Sequence, residues 1–137
     1  MRNGKDLPRR YFNLIRSARR ASKRAYAPYS GFKVGAAVLA GSHSIYTGCN
    51  VENASYGLSI CAERVAVFKA ISEGEKRIEA IAVAADGPSA VSPCGACRQV
   101  IFEFNRKAVV LMSNLKGETV VDDATRLLPR GFSRLRK

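Results

Sequence analysis

Ile78-Glu79-Ala80-Ile81-Ala82-Val83-Ala84-Ala85 is an almost continuous apolar run, bounded on both sides by turn residues. A strand with one wet face alternates apolar and polar side chains, whereas a strand covered on both faces has no need to. The run therefore reads as a buried strand, and the neighbouring segments must cover it. A helix is expected at about 61–73, ended by Gly74, and a second at 94–104 after the loop 86–93. A further apolar strand follows at 108–113, then a turn at Lys116-Gly117, a short strand at 118–121 and a short helix from about Asp122. Upstream, strands at 33–39 and 44–50 are joined by the hairpin turn Ala-Gly-Ser-His, and the loop 51–59 leads to the first of the two helices. At the start, Tyr11, Leu14, Ile15, Ala18, Ala21, Ser22 and Ala25 recur at three- and four-residue spacing behind Pro8. That stripe predicts an amphipathic helix over about 8–25. The order α-β-β-α-β-α-β-β-α predicts an α/β domain with helices packed on the faces of one sheet.

The chain has 137 residues, 47% of them hydrophobic and 25% charged, which is globular composition and enough for one compact core. Without an internal repeat or a linker, residues 1–137 read as one domain. The longest stretch free of polar residues, 34–41, is far short of the ~20 residues that span a bilayer. The first residues are basic and lack an apolar signal, so a cytoplasmic, reducing location is expected and no membrane partner.

The net charge of +12 is unevenly placed. Residues 1–24 hold nine basic groups against Asp6, and 126–137 hold five basic groups and no acid. The body between them has nine basic and ten acidic groups. The basic helix and tail allow a nucleic-acid partner without requiring one.

Four cysteines stand at 49, 61, 94 and 97, and in a reducing compartment they read as metal ligands or apolar fillers before disulfides. Cys94-Gly95-Ala96-Cys97 follows Pro93 and opens one expected helix, while Cys61 opens another. Free N–H groups at a helix start favour thiolate, the form that binds zinc. Three thiolates leave a fourth tetrahedral position for water, the mark of a catalytic zinc rather than a structural one. Glu63, in the first turn after Cys61, is placed to move a proton without being a ligand. Cys-Ala-Glu with Pro-Cys-x-x-Cys is the cysteine form of the signature of zinc-dependent nucleobase deaminases. Two alternatives stay open on spacing alone: Glu63 as a simple helix-start acid, and Cys49 as a fourth ligand closing a structural site. His43, the single histidine, sits in the hairpin turn and reads as exposed.

The chain resembles the small, single-domain cytidine deaminases. Tyr-Ala-Pro-Tyr-Ser-Gly-Phe-Lys-Val-Gly-Ala-Ala (26–37), Gly-Cys-Asn-Val-Glu-Asn-Ala-Ser-Tyr (48–56), Cys-Ala-Glu-Arg (61–64), Pro-Cys-Gly-Ala-Cys-Arg-Gln (93–99) and Leu-Leu-Pro (127–129) occur in that family's order, covering about 26–132. The resemblance implies a three-layer α/β/α fold with a five-stranded mixed sheet, and a homotetramer with active sites near subunit interfaces. It implies one zinc per subunit on Cys61, Cys94 and Cys97, with Glu63 as the proton shuttle. Asn50 and Glu52 match positions that hydrogen-bond the ribose, Phe32 matches an aromatic wall, and Ala62 falls among the substrate-binding positions. Tyr56 and Phe132 match residues supplied by neighbouring subunits, although Arg-Gly-Phe-Ser-Arg around Phe132 departs from the usual family ending.

A zinc site of three thiolates is formally anionic, so a nearby cation is expected to offset it. The resemblance favours Arg64 for this role, while Arg98 reads as a surface residue. The expected reaction is hydrolysis at C4 of cytidine, and of 2′-deoxycytidine, to the uracil nucleoside and ammonia in pyrimidine salvage. A phosphate on the ribose 3′-oxygen would meet the Glu52 carboxylate, which argues against polynucleotide substrates. Two other functions stay open on the sequence: a deaminase acting on another cytosine-bearing substrate, and a zinc-stabilised module that binds nucleic acid.

Overall fold

The computed structural model describes residues 6–134 in full and the backbone of Arg2–Asn3. Its elements are β1 (Arg2–Asn3), α1 (Arg9–Ser22), β2 (Val34–Ala40), β3 (Ile45–Cys49), α2 (Ala62–Ser72), β4 (Ile78–Ala85), α3 (Gly95–Phe104), β5 (Val109–Asn114), β6 (Thr119–Asp123) and α4 (Ala124–Leu127). They form one sheet in the order β1-β6-β5-β4-β2-β3. The apolar run is β4 and lies inside the sheet, antiparallel to β2 and parallel to β5. A parallel pair needs a crossover connection, and α3 provides it. The other pairings are antiparallel, so the sheet is mixed.

The five expected strands are all present, the one at 78–85 with the expected bounds and the others with boundaries moved by one or two residues. The two-residue β1, which has no sequence periodicity to announce it, adds to the open edge of β6. The loop 51–59 contains a single 3-10 turn, Tyr56–Leu58, and its residue Val51 bridges both Tyr26 and Ile60.

Alternation along the strands divides the core in two. Val34, Ala36 and Val38 of β2, with Ile81 and Val83 of β4, face α2 and α3. Ala37, Leu39, Ala80, Ala82 and Ala84 face α1, which buries Tyr11, Leu14, Ile15, Ala18, Ala21 and Ser22 against them. This is the three-layer arrangement, and the alanines of β4 let α1 lie close.

Two glycines set the helix distances. A Cβ on Gly35 would stand 2.9 Å from Ser22 Cα and nearer still to the Ala18 carbonyl, so α1 rests on a bare backbone. A Cβ on Gly48 would stand 2.6 Å from the Ala66 nitrogen and 2.8 Å from the Ala62 carbonyl oxygen. Gly48 thereby fixes how closely the first turns of α2 approach the sheet. Among the described residues, no helix is long and apolar enough to cross a membrane.

Candidate active site

Cys61 is the N-cap of α2 and Cys94 the N-cap of α3, both with extended backbone and without a side-chain capping bond. Each helix start therefore has uncapped N–H groups next to a cysteine. Cys97 is buried in the first turn of α3, and the three Sγ atoms lie within 4.8 Å of one another. Cys61 and Cys94 sulfurs are 3.8 Å apart, and those of Cys94 and Cys97 are 3.5 Å apart. A tetrahedral ion with Zn–S bonds near ~2.3 Å separates its sulfurs by about 3.8 Å, so the donor set fits zinc. Among the described residues this is the group able to hold a metal. Cys49, at the end of β3, and His43, exposed in the hairpin turn with φ of 73°, stand outside it. The structure does not bring together the four-cysteine alternative.

The sulfurs are not equivalent. A hydrogen bond from Cys97, with others from Arg64 and Cys94, lowers the Cys61 thiol to about 5 against the opposing effect of burial. Cys97 is pushed up by the same bond to Cys61 and by burial. Arg64, which the resemblance favours as the offsetting cation, donates from Nη2 to Cys61 Sγ at 3.4 Å. Glu63 follows Cys61 on α2 and is only 5% exposed. Burial first, and then the negative charge on Cys61, raises its carboxyl to about 7. A carboxyl near neutrality can both take and return a proton, which suits acid–base work.

Cys61, Cys94 and Glu63 line a cavity of about 330 Å³ together with Phe32, Asn50, Glu52 and Ala62. Asn50 accepts from the Val34 N–H through Oδ1 at 2.8 Å and donates from Nδ2 to the Phe32 carbonyl at 2.8 Å. Glu52 accepts from the Tyr29 and Ser30 amides at 3.0 and 3.1 Å and from the Ser30 hydroxyl. The Ser30 hydroxyl, with those amides, holds the Glu52 carboxyl below its ordinary value. Both residues therefore anchor the 29–34 segment that carries Phe32, and each keeps hydrogen-bonding capacity toward the cavity.

Tyr56 and Phe132 do not line the cavity of their own chain. They are 76% and 69% exposed, Tyr56 edge-on to Tyr29 and Phe132 held through its carbonyl by Gln99 Nε2 at 2.9 Å.

Sequence reasoning missed several cavity residues. Ser30 lies inside the 26–37 motif beside Phe32, and that adjacency was the available signal. Val83 and Val91 carry no signal, because an apolar side chain in a strand or loop looks the same whether it faces core or cavity. Arg98 is not the surface residue expected. Its guanidinium donates to the Pro93 carbonyl at 2.8 Å, the Leu127 carbonyl at 2.9 Å and Ser92 Oγ at 2.6 Å. It ties the loop that presents Cys94 to the end of α4.

The profile of the cytidine and deoxycytidylate deaminase zinc-binding region matches residues 9–113. A cytidine deaminase of Sporosarcina psychrophila is 51% identical over 122 residues, 88% of this chain and 90% of that protein. One from Mycobacterium tuberculosis is 40% identical over 122 residues, covering 88% and 89% of the two chains. The crystal structure of a cytidine deaminase from Burkholderia pseudomallei superposes with a TM-score of 0.86 at 46% identity, covering 89% of this chain and 98% of that one. Three cysteine sulfurs at two helix starts, an adjacent buried glutamate and this degree of likeness lead to one conclusion: the chain belongs to the zinc-dependent cytidine and deoxycytidylate deaminase family.

Proposed function

We propose that the protein hydrolyses cytidine, and 2′-deoxycytidine, to the corresponding uracil nucleoside and ammonia, in the cytoplasmic salvage of pyrimidines. The observation that carries this reading is the buried Glu63 carboxyl beside three convergent cysteine sulfurs in a nucleoside-sized cavity. Zinc held by Cys61, Cys94 and Cys97 supplies the Lewis acidity that makes water nucleophilic near neutral pH.

The chain's own residues do the rest. Phe32 forms an apolar wall for the ring, and Asn50 and Glu52 take the ribose hydroxyls with the capacity left after anchoring the 29–34 segment. Glu63 accepts a proton from the attacking water and delivers it to ring N3 as C4 becomes tetrahedral. It then carries the second proton to the amino group, which leaves as ammonia while C4 becomes a carbonyl. Arg64 keeps Cys61 ionised through its hydrogen bond and offsets the anionic charge of the site.

One zinc per subunit and a homotetramer complete this reading, with residues 1–137 acting as one domain. The exposure of Tyr56 and Phe132 supports it, because both are free to enter a neighbouring subunit's cavity. A deaminase acting on polynucleotides fits less well, since a 3′-phosphate would face the ionised Glu52.

Ammonia release from cytidine, deoxycytidine, the 5′-monophosphate and a short oligonucleotide tests the proposal. Glu63→Gln should retain zinc and lose at least about 10²-fold in turnover. A variant with near-normal turnover would remove Glu63 from the proton path, and an inactive zinc-loaded wild type would remove the function.

A further inference from the structure

The solvent face of α1 has no part in the cavity, which opens on the other side of the sheet. Arg9, Arg16 and Arg20 follow one another at seven- and four-residue steps, which place them in a row along one side of the helix. At 1.5 Å per residue the row is about 16 Å long. Lys23 and Arg24 extend it past the helix end, and all five side chains are exposed. Among the described residues none of the five has a carboxylate at ion-pair distance. The two remaining arginines are used within the fold. Arg19 donates to the Asn114 carbonyl at 3.0 Å, and Arg10 lies 4.7 Å over the Tyr11 ring.

Helix stability accounts for Arg20, in the last turn where the dipole favours a cation, but not for Arg9. The first turn of α1 has no acidic residue and its Pro8 cap offers no side-chain acceptor. Arg9 and Arg10 therefore sit at the positive end of the helix dipole, where cations work against it.

An aromatic side chain interrupts the row. Phe12 is 45% exposed and, with Leu7, Arg9, Asn13 and Arg16, lines an open groove of about 540 Å³. A second groove of about 170 Å³ lies farther along α1, between Arg20, Arg24 and Thr47. Cations that track a backbone, interleaved with a ring on which a base can stack, are the chemistry of a single-strand site. A duplex keeps its bases stacked inside and gives Phe12 no partner. An anionic membrane would use the charges but not the amide of Asn13.

We propose that this face of α1 binds single-stranded nucleic acid, with Arg9, Arg16 and Arg20 on phosphates and a base against Phe12. The bound strand is not the deamination substrate, because α1 and the cavity lie on opposite faces of the sheet.

The test is fluorescence anisotropy with the zinc-loaded full chain and a fluorescein-labelled oligouridylate, which contains no cytosine. Three phosphate contacts predict that log Kobs falls with log salt at a slope of about −2. The double variant Arg16→Ala/Arg20→Ala should reduce that slope by about 1.4. Phe12→Ala should weaken binding about tenfold with the slope kept. Cytidine turnover should be unchanged in both, which also shows that they fold. Failure to bind at about 50 mM salt would overturn the proposal. So would affinity indifferent to these substitutions, or equal or tighter binding to a duplex of the same length or to phosphatidylserine vesicles.

Discussion

Replacing Gly48 by alanine would drive a methyl group into the first turns of α2. The added Cβ would stand 2.6 Å from the Ala66 nitrogen, 2.8 Å from the Ala62 carbonyl oxygen and 3.0 Å from Val65 Cβ. Ordinary contact begins at 3.4 Å, so the tightest of these falls short by about 0.8 Å. Two of the obstacles are backbone atoms and cannot rotate away, so strand and helix must separate. The helix that moves starts at Cys61 and holds Glu63 and Arg64 in its first turn. Overpacking of this kind costs about 1–3 kcal/mol. For a chain of 137 residues that lowers the thermal midpoint by roughly 3–12 °C. Displacing catalytic groups by a good part of an ångström costs roughly ten- to hundredfold in kcat. Calorimetry of the zinc-loaded protein and ammonia release from cytidine measure the two effects. Gly87→Ala is the control, since its Cβ would meet only the Ser89 carbonyl, at 3.9 Å. If Gly48→Ala matched wild type in both midpoint and turnover, the view that this glycine sets the height of α2 over the sheet would be wrong.

Three further outcomes are expected. Arg98→Ala removes two bonds to the loop before Cys94 and one to the end of α4, and should weaken zinc retention about 10–100-fold, measured by competition with a chromogenic chelator. Glu52 is held below its ordinary 4.5 by Ser30 and the Tyr29 amide. Its contribution to stability is therefore complete above that value and lost as pH falls through the lowered one. The gap in thermal midpoint between wild type and Glu52→Gln should close on acidification, and a gap that widened instead would reverse the sign. Stripping zinc with dipicolinate should lower the thermal midpoint and abolish turnover, with both restored by added zinc.

Much of the site could be read before folding because its chemistry is local. Cys61, Glu63, Cys94 and Cys97 occupy single helical turns, and helix starts are announced by short-range patterns. The apolar run at 78–85 marked its own strand for the same reason, since burial on both faces removes alternation. Arg98 was misread because nothing in Cys-Arg-Gln shows that the guanidinium reaches the Leu127 carbonyl, 29 positions away. Asn50 and Glu52 showed their residue types but not their hold on the 29–34 segment, which depends on β3 and that segment meeting in space.

The amino-acid sequence by itself determined the layered α/β class and singled out the three cysteines able to hold a metal and the glutamate proposed to carry the proton, because periodicity and spacing within one turn carry that information. Only the tertiary structure decided that two helix starts aim at one point and that Arg64 faces Cys61. It also decided that Glu63 is buried deeply enough for its carboxyl to rise to about 7. Desolvation and charge proximity are properties of what surrounds a group, and here the surroundings come from α2, α3 and β4, which are distant in the chain and adjacent in the fold.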